Sequence, residues 1–308
     1  MNMNKPDMLD WFGLKRDPFG KRREANDLWP SVNLRAGKNL VRYAIEHNEI
    51  VGLFGAYGTG KTTVKDSVLD ALDDTVIVAR VDTDKETLTV SDIEEAMLHA
   101  LNADRVPRVR APRRRMLKDM LIDIHGSDRS LIVVIDNAHR VSGSTFKAQK
   151  ELHESTRFAH METLFSVLLV GHRQLPALLA WQARDVLARL DALNIHYLSA
   201  LDPLDAAEYI KHRLAAAGGA ALIPEKKVLE MIARRATPTT LNVLMWSVLK
   251  AAFLDEAKQI TEDHVRAALP VADRIIEPKA DGSALETILQ GGTEADHGKE
   301  REEQSKAG

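Results

Sequence analysis

Gly55-Ala56-Tyr57-Gly58-Thr59-Gly60-Lys61-Thr62 fills every fixed position of the P-loop pattern G-x-x-x-x-G-K-[ST]. Its flanks agree with it. Ile50-Val51-Gly52-Leu53-Phe54 ahead of it reads as a short buried strand. Residues 63–72 behind it carry apolar side chains at 64, 68, 69, 71 and 72, the spacing of a helix face. A strand, a glycine loop and a helix start are what phosphate binding needs. Glycines let backbone N–H groups close around the anion, and the helix end adds partial positive charge. The cradle is Gly55, Ala56, Tyr57, Gly58, Thr59, Gly60, Lys61, Thr62 and Thr63. In such a loop Lys61 reaches the β- and γ-phosphates of ATP, and the Thr62 hydroxyl ligates Mg²⁺.

Working outward, residues 75–81 are β-rich and read as a second strand, and residues 90–101 as a helix with Ser91 as its N-cap. Residues 116–125 form a short helix. Leu131-Ile132-Val133-Val134-Ile135-Asp136 is an apolar run closed by an aspartate, the form of a Walker B strand, with Asp136 placed to hold Mg²⁺ directly or through water. Asn137 follows it. Asparagine can position a water by hydrogen bond but cannot take its proton, so hydrolysis is expected to be slow or to use another base, with His139 and Glu151 as candidates. Residues 165–171 read as another buried strand. His172 at its end is either a sensor of the γ-phosphate or a hydrogen-bonded surface histidine. Residues 194–198 are the last strand. The helix before it carries Arg189 and Arg184, each either a group reaching a neighbouring subunit's nucleotide, with Arg189 preferred, or a surface charge.

Between the second strand and Asp136 lies a strongly basic segment: Arg105, Arg108, Arg110, Arg113, Arg114, Arg115 and Lys118, without an acid among them. Pro107 and Pro112 predict that its first half is extended or looped. In a chain of 308 residues and net charge −3, this asymmetry is local. The preferred reading is a surface for nucleic-acid phosphates, salt-sensitive and indifferent to sequence. The alternatives are a solvated basic loop, or arginines meeting acids of a neighbouring subunit.

The length suits one large or two ordinary domains. The chain has no cysteine, which excludes disulfides, thiolate zinc sites and cysteine nucleophiles. No apolar run approaches a membrane span, and a cytoplasmic protein without a membrane partner is expected. Residues 1–32 read as an N-terminal arm. It is dense in aromatics (Trp11, Phe12, Phe19, Trp29), which either anchor it on the nucleotide domain near the adenine or merely tether it. Residues 33–201 form the α/β nucleotide domain. Residues 202–273 turn wholly helical, as four short helices of a small lid. Residues 274–308 read as a disordered polar tail with one short amphipathic stretch at 284–289.

The order of P-loop, Walker B strand, polar strand end, late arginine and helical lid resembles an AAA+ ATPase. Trp11-Phe12-Gly13-Leu14 with Asp17-Pro18-Phe19, and the stretch from Ala207 to Gly218, resemble the ExeA/GspA-like branch, which holds general-secretion ATPases and the TnsC, TniB and phage Mu B transposition ATPases. Two positions depart from that branch. Asn137 stands where it has a catalytic glutamate. Thr239, in Ala236-Thr237-Pro238-Thr239-Thr240-Leu241-Asn242, stands where it often has the sensor-2 arginine. Both suit a protein that uses bound ATP as an assembly switch. Among transposition relatives the region of the basic segment contributes to contacts with DNA threaded through a helical ATPase assembly. The resemblance thus implies a homo-oligomer, as filament or ring, on double-stranded DNA, with a transposase as partner and Arg189 completing a neighbour's ATP site. Secretion relatives continue into a membrane span, and their motor activity is the first alternative. A replication or helicase-loading factor is the second.

Overall fold

The computed structural model describes residues 5–20, 28–81, 88–158, 162–190, 193–234 and 237–276. All five expected strands form, and they pair in parallel: β1 (Ile50–Gly55), β2 (Val76–Val81), β3 (Ser130–Ile135), β6 (Ser166–His172) and β7 (Ile195–Leu198), in the order β2-β3-β6-β1-β7. A small antiparallel pair, β4 (Arg157–Phe158) and β5 (Glu162–Thr163), stands apart from this sheet.

Alternation along the strands builds two apolar faces, because successive side chains of a strand point to opposite sides. Leu131, Val133, Ile135, Val167 and Leu169 enter one core, shared with α4 (Val90–Ala100), α5 (Arg110–His125), α6 (Gly143–Ser155) and α7 (Leu175–Gln182). Ile132, Val134, Leu168 and Val170 enter the other, against α2 (Val32–His47) and α3 (Lys61–Leu69). Burial on both faces is why these strands read as unbroken apolar runs. Gly37 on α2 permits its close approach to α3, since a Cβ there would stand 2.5 Å from Val64 Cγ1. The result is a five-stranded parallel sheet flanked by helices, an AAA+ P-loop α/β fold.

A short helix, α8 (Arg184–Leu187), precedes β7. Beyond it come α9 (Pro203–Ala216), α10 (Lys226–Ile232), α11 (Pro238–Leu254) and α12 (Glu262–Ile276), packed around their own core of Ile210, Leu214, Leu241, Met245 and Val265. Pro270 is exposed within α12, and Ala272 beyond it still packs into the core.

The N-terminal segment does not form a separate arm on the sheet domain. Met8, Phe12, Leu14 and Phe19, with α1 (Lys5–Trp11), join the helical core. Trp11 Nε1 donates to the Ala257 carbonyl, and the Lys258 ammonium lies 3.6 Å from the Trp11 ring centroid. The Lys15 N–H donates to the Ala217 carbonyl at 2.9 Å. Apolar burial decides this location, because these side chains are enclosed by joining the helical core. Of the expected tail, residues 274–276 end α12, and the remainder, with its stretch at 284–289, lies outside the described residues.

Candidate nucleotide site and basic segment

The P-loop closes as its glycines allow. Gly58 and Gly60 take φ of +78° and +92°, in the left-handed region that side chains resist. At Gly55 an added Cβ would stand 2.7 Å from Thr59 Oγ1 and 3.0 Å from the Leu198 carbonyl, so Gly55 is fixed by crowding instead. Thr59 is buried and its hydroxyl donates to the Ala56 carbonyl at 2.9 Å. The first turn of α3 has no side-chain cap. Lys61 folds back over the loop, its Nζ donating to the carbonyls of Gly55 (3.0 Å) and Ala56 (2.8 Å). Burial holds the Lys61 ammonium below the usual lysine range, with the Asp136 carboxylate opposing the shift.

Asp136 stands just past the end of β3. Its Oδ1 accepts the Asn137 N–H at 2.8 Å, and its Oδ2 lies 2.6 Å from Lys65 Nζ. Sequence reasoning missed Lys65. The signal was available: it lies four residues after Lys61, one turn along the same helix face. The Thr62 hydroxyl and the Asp136 carboxylate are hard oxygen donors of the kind Mg²⁺ takes, and they fit it, with Lys65 as a third party at the carboxylate.

Asn137 is exposed, at φ +49°, and opens a 3-10 turn over Ala138–Arg140. His172 pairs in register with Gly55, the first residue of the P-loop. Its ring lies 6.4 Å from that of His139, at 65° between planes. The two candidate histidines are therefore neighbours at the strand ends that carry the loop. Burial lowers the His139 pKa first, then the charges of His172, Arg140 and Lys61, against the pull of Asp136. Glu151, the other candidate base, is on the exposed side of α6.

The helical domain leans on the loop. Thr237 caps α11, with Thr240 completing the capping box. The Thr239 N–H points at the Gly58 carbonyl at 3.4 Å, and a Cβ at Gly58 would stand 3.1 Å from Thr237 Oγ1 and from Thr239 Cβ. Beside this contact is a cleft lined by Trp29, Leu34, Thr63, Tyr209, Arg213 and Pro238 among others. Of the four early aromatics, only Trp29 lines it. Tyr209 and Arg213 are further residues that sequence reasoning missed. Tyr209 packs edge-on to Trp29 and donates its hydroxyl to Asn242 Oδ1 at 2.8 Å. Arg213 is buried, holds the Pro18 and Gly20 carbonyls and lies over the Tyr209 ring.

Arg189 is not brought to the P-loop. It is half-exposed and pairs with Glu154, Nε to Oε1 at 2.9 Å, which holds the Glu154 carboxyl below the usual range against the cost of burial. Both line a polar cavity with Glu49 and Ile50, at the amino end of β1, whereas the P-loop leaves its carboxyl end. Arg184 is exposed at the start of α8.

The basic segment is looped through Val109, as expected of its first half, and helical from Arg110; Pro112 is accommodated because it falls in the first turn of α5, where its missing N–H costs little. The side chains of the segment divide. Arg113, expected on a phosphate-contacting surface, is 3% exposed and turned inward. Its Nε lies 2.7 Å from Glu94 Oε2, its Nη2 2.7 Å from Ser91 Oγ, and its Nη1 reaches the carbonyls of Pro107 and Arg108. Thr89 takes the capping role expected of Ser91. Arg114 is partly buried, Nε to Glu94 Oε1 at 2.7 Å. Arg105, Arg108, Arg110, Arg115 and Lys118 are exposed.

Residues 44–179 match the protein-family model described as AAA domain. Among solved structures, the fold is similar to the Aeropyrum pernix ORC2 protein in its ADP form, at TM-score 0.61 and 14% identity over 83% of this chain and 72% of that one. It is similar to Cdc6p from Pyrobaculum aerophilum, at TM-score 0.58 and 17% identity over 84% and 70%. It is also similar to Drosophila ORC bound to DNA, at TM-score 0.60 and 12% identity over 87% and 67%. No curated protein matches the chain. These likenesses carry the AAA+ fold and stop short of the ExeA/GspA-like branch.

Proposed function

We propose that this chain is an ATP-dependent, non-sequence-specific DNA-binding regulator of transposition, which assembles on duplex DNA as a filament or ring and there recruits and stimulates a transposase. The observation that carries the reading is a complete phosphate loop under a helical domain that touches it through Thr239, with an asparagine, Asn137, directly after Asp136. Such a site suits holding ATP more than turning it over.

Lys61 would exchange the Gly55 and Ala56 carbonyls for the β- and γ-phosphates. The uncapped start of α3 would meet the same anion. Thr62 and Asp136 would hold Mg²⁺, which neutralises phosphate charge when bound. Asn137 can orient a water but leaves its proton in place. His172 would read the γ-phosphate from the strand next to β1. Because α11 rests on Gly58, filling the loop bears on the helical domain, and through Arg213 on the N-terminal segment docked to it. Arg189 would leave Glu154 for the nucleotide of an adjoining subunit. Arg105, Arg108, Arg110, Arg115 and Lys118 would face DNA phosphates.

A second reading, a replication or helicase-loading factor, is favoured by the likeness to ORC and Cdc6, one member of which was solved bound to DNA. It shares the ATP and DNA chemistry and differs in the partner.

Negative-stain electron microscopy with duplex DNA, with and without ATP and Mg²⁺, tests the shared part. Regular assemblies only with ATP are expected, and Lys61→Ala should abolish them. Assembly without regard to nucleotide would remove the switch. Strand-transfer assays with a purified transposase, set against helicase-loading assays, then separate the two readings.

A further inference from the structure

Two ammonium groups stand at this site, and the P-loop chemistry uses only Lys61. Lys65 Nζ lies 2.6 Å from Asp136 Oδ2 and 3.2 Å from Asp66 Oδ1. Its side chain is 11% exposed, against 31% for Asp136 and 49% for Asp66, so the ammonium is held on the inner side of the pair. The other Asp136 oxygen already accepts the Asn137 N–H. Both oxygens of the carboxylate that should receive a divalent cation are thus engaged, one of them by a full positive charge. A charge-assisted bond of this length is among the stronger polar contacts a protein makes. A second cation approaching the same carboxylate must displace the ammonium or share the carboxylate with it at a Coulomb cost.

We infer that Lys65 is a built-in competitor of the divalent cation at Asp136, and that it lowers the dependence of nucleotide binding on Mg²⁺. The inference deepens the nucleotide-binding reading of the P-loop and rests on it. With Mg²⁺ absent, Lys65 neutralises Asp136, which would otherwise repel the phosphates, and adds positive charge beside Lys61. With Mg²⁺ present, the metal gains less than it would at a free carboxylate, because the Lys65 bond is lost as the metal's is made. The two cations are therefore partly interchangeable. Lys65→Met keeps most of the buried stem and removes the charge. Lys65→Arg keeps the charge.

Mant-ATP fluorescence titrations of the full chain, in Mg²⁺ and in EDTA, test this. For the wild type, removing Mg²⁺ should weaken binding by no more than about threefold, and for Lys65→Met by at least about tenfold, a difference of the size one ion pair provides. Lys65→Arg should behave as the wild type. In the complex with mant-ATP, Mn²⁺ followed by electron paramagnetic resonance should bind more tightly to Lys65→Met than to the wild type. Equal responses of wild type and Lys65→Met to EDTA overturn the inference and leave nucleotide binding intact. A wild-type loss above about tenfold overturns it without any variant, even if Lys65→Met does not fold. Absence of mant-ATP binding by the wild type in both buffers removes the nucleotide reading itself, and the inference with it.

Discussion

Arg113 and Glu94 form a buried ion pair that joins α5 to α4, Nε to Oε2 at 2.7 Å, with Glu94 wholly enclosed. Arg114 binds the other carboxylate oxygen at 2.7 Å, so one acid holds two arginines of the basic segment. Removing one partner from a buried pair leaves a charge without compensation. Arg113→Ala should lower folding stability by about 3 kcal/mol, with Arg114 keeping the loss toward the lower end of the usual range. Arg115→Ala, at an exposed position, should stay within about 0.5 kcal/mol of the wild type. Urea denaturation measures both. Equal losses would mean that Arg113 is not the structural member of the segment.

The exposed members carry the DNA prediction. Neutralising Arg110, Arg115 and Lys118 together should weaken binding to all duplex sequences alike. Each lost phosphate contact should also flatten the plot of log affinity against log salt by about 0.9. Fluorescence anisotropy on two unrelated duplexes across a salt series gives both quantities. An unchanged slope would place the DNA surface elsewhere.

What the sequence made legible follows from how local each signal is. The three central strands announced themselves because burial on both faces leaves runs such as Leu131–Ile135 with no polar residue, and the P-loop is read from adjacent positions. The edge strands β2 and β7, with Arg80 and Tyr197 exposed, were legible only from their β-rich composition. Pairing across distance was not legible. Arg113 falls at helical spacing ahead of the buried Leu117 and Leu121, but the partner that lets an arginine sit there, the buried Glu94 on another helix, is not visible in the chain. The same holds for Lys65, whose partner Asp136 is 71 residues away. The early aromatics showed that something is anchored. Their destination was not legible, because nothing local distinguishes the sheet cores from the helical core, which Met8, Phe12 and Phe19 join.

Asn137 is exposed, so its substitution disturbs no packing, although its left-handed φ of +49° costs a glutamate about 1 kcal/mol of local strain. Asn137→Glu supplies a carboxylate that can take a proton from water, a role the asparagine cannot fill. General-base assistance typically contributes 10²–10⁴-fold, and a graft without its supporting contacts should raise ATP turnover by at least about tenfold. A steady-state phosphate-release assay measures it. Fast turnover by the wild type would show that another base, with His139 the nearest candidate, already does this work.

His153 gives the fold a pH dependence of known sign. It is buried against Phe165, with rings 5.0 Å apart, and Nε2 donates to the Asn48 carbonyl at 2.9 Å. Burial lowers its pKa below 6.5, with the carbonyl contacts of Asn48 and Phe165 opposing. Above 6.5 the imidazole is neutral in both folded and unfolded chains and contributes no slope. As the pH falls below 6.5, the unfolded chain takes up the proton first, so stability declines, by up to about 1.4 kcal/mol per pH unit for one group, until the folded pKa is reached. His139 and His196 shift the same way and add to the total. His153→Gln keeps a donor for Asn48 and removes the titration. Its stability between pH 6.5 and 5, from urea unfolding at each pH, should fall less steeply than the wild type's, whatever its absolute value at pH 7. Parallel curves would mean that His153 takes up its proton over the same pH range in the folded and unfolded chains, and that burial does not shift it.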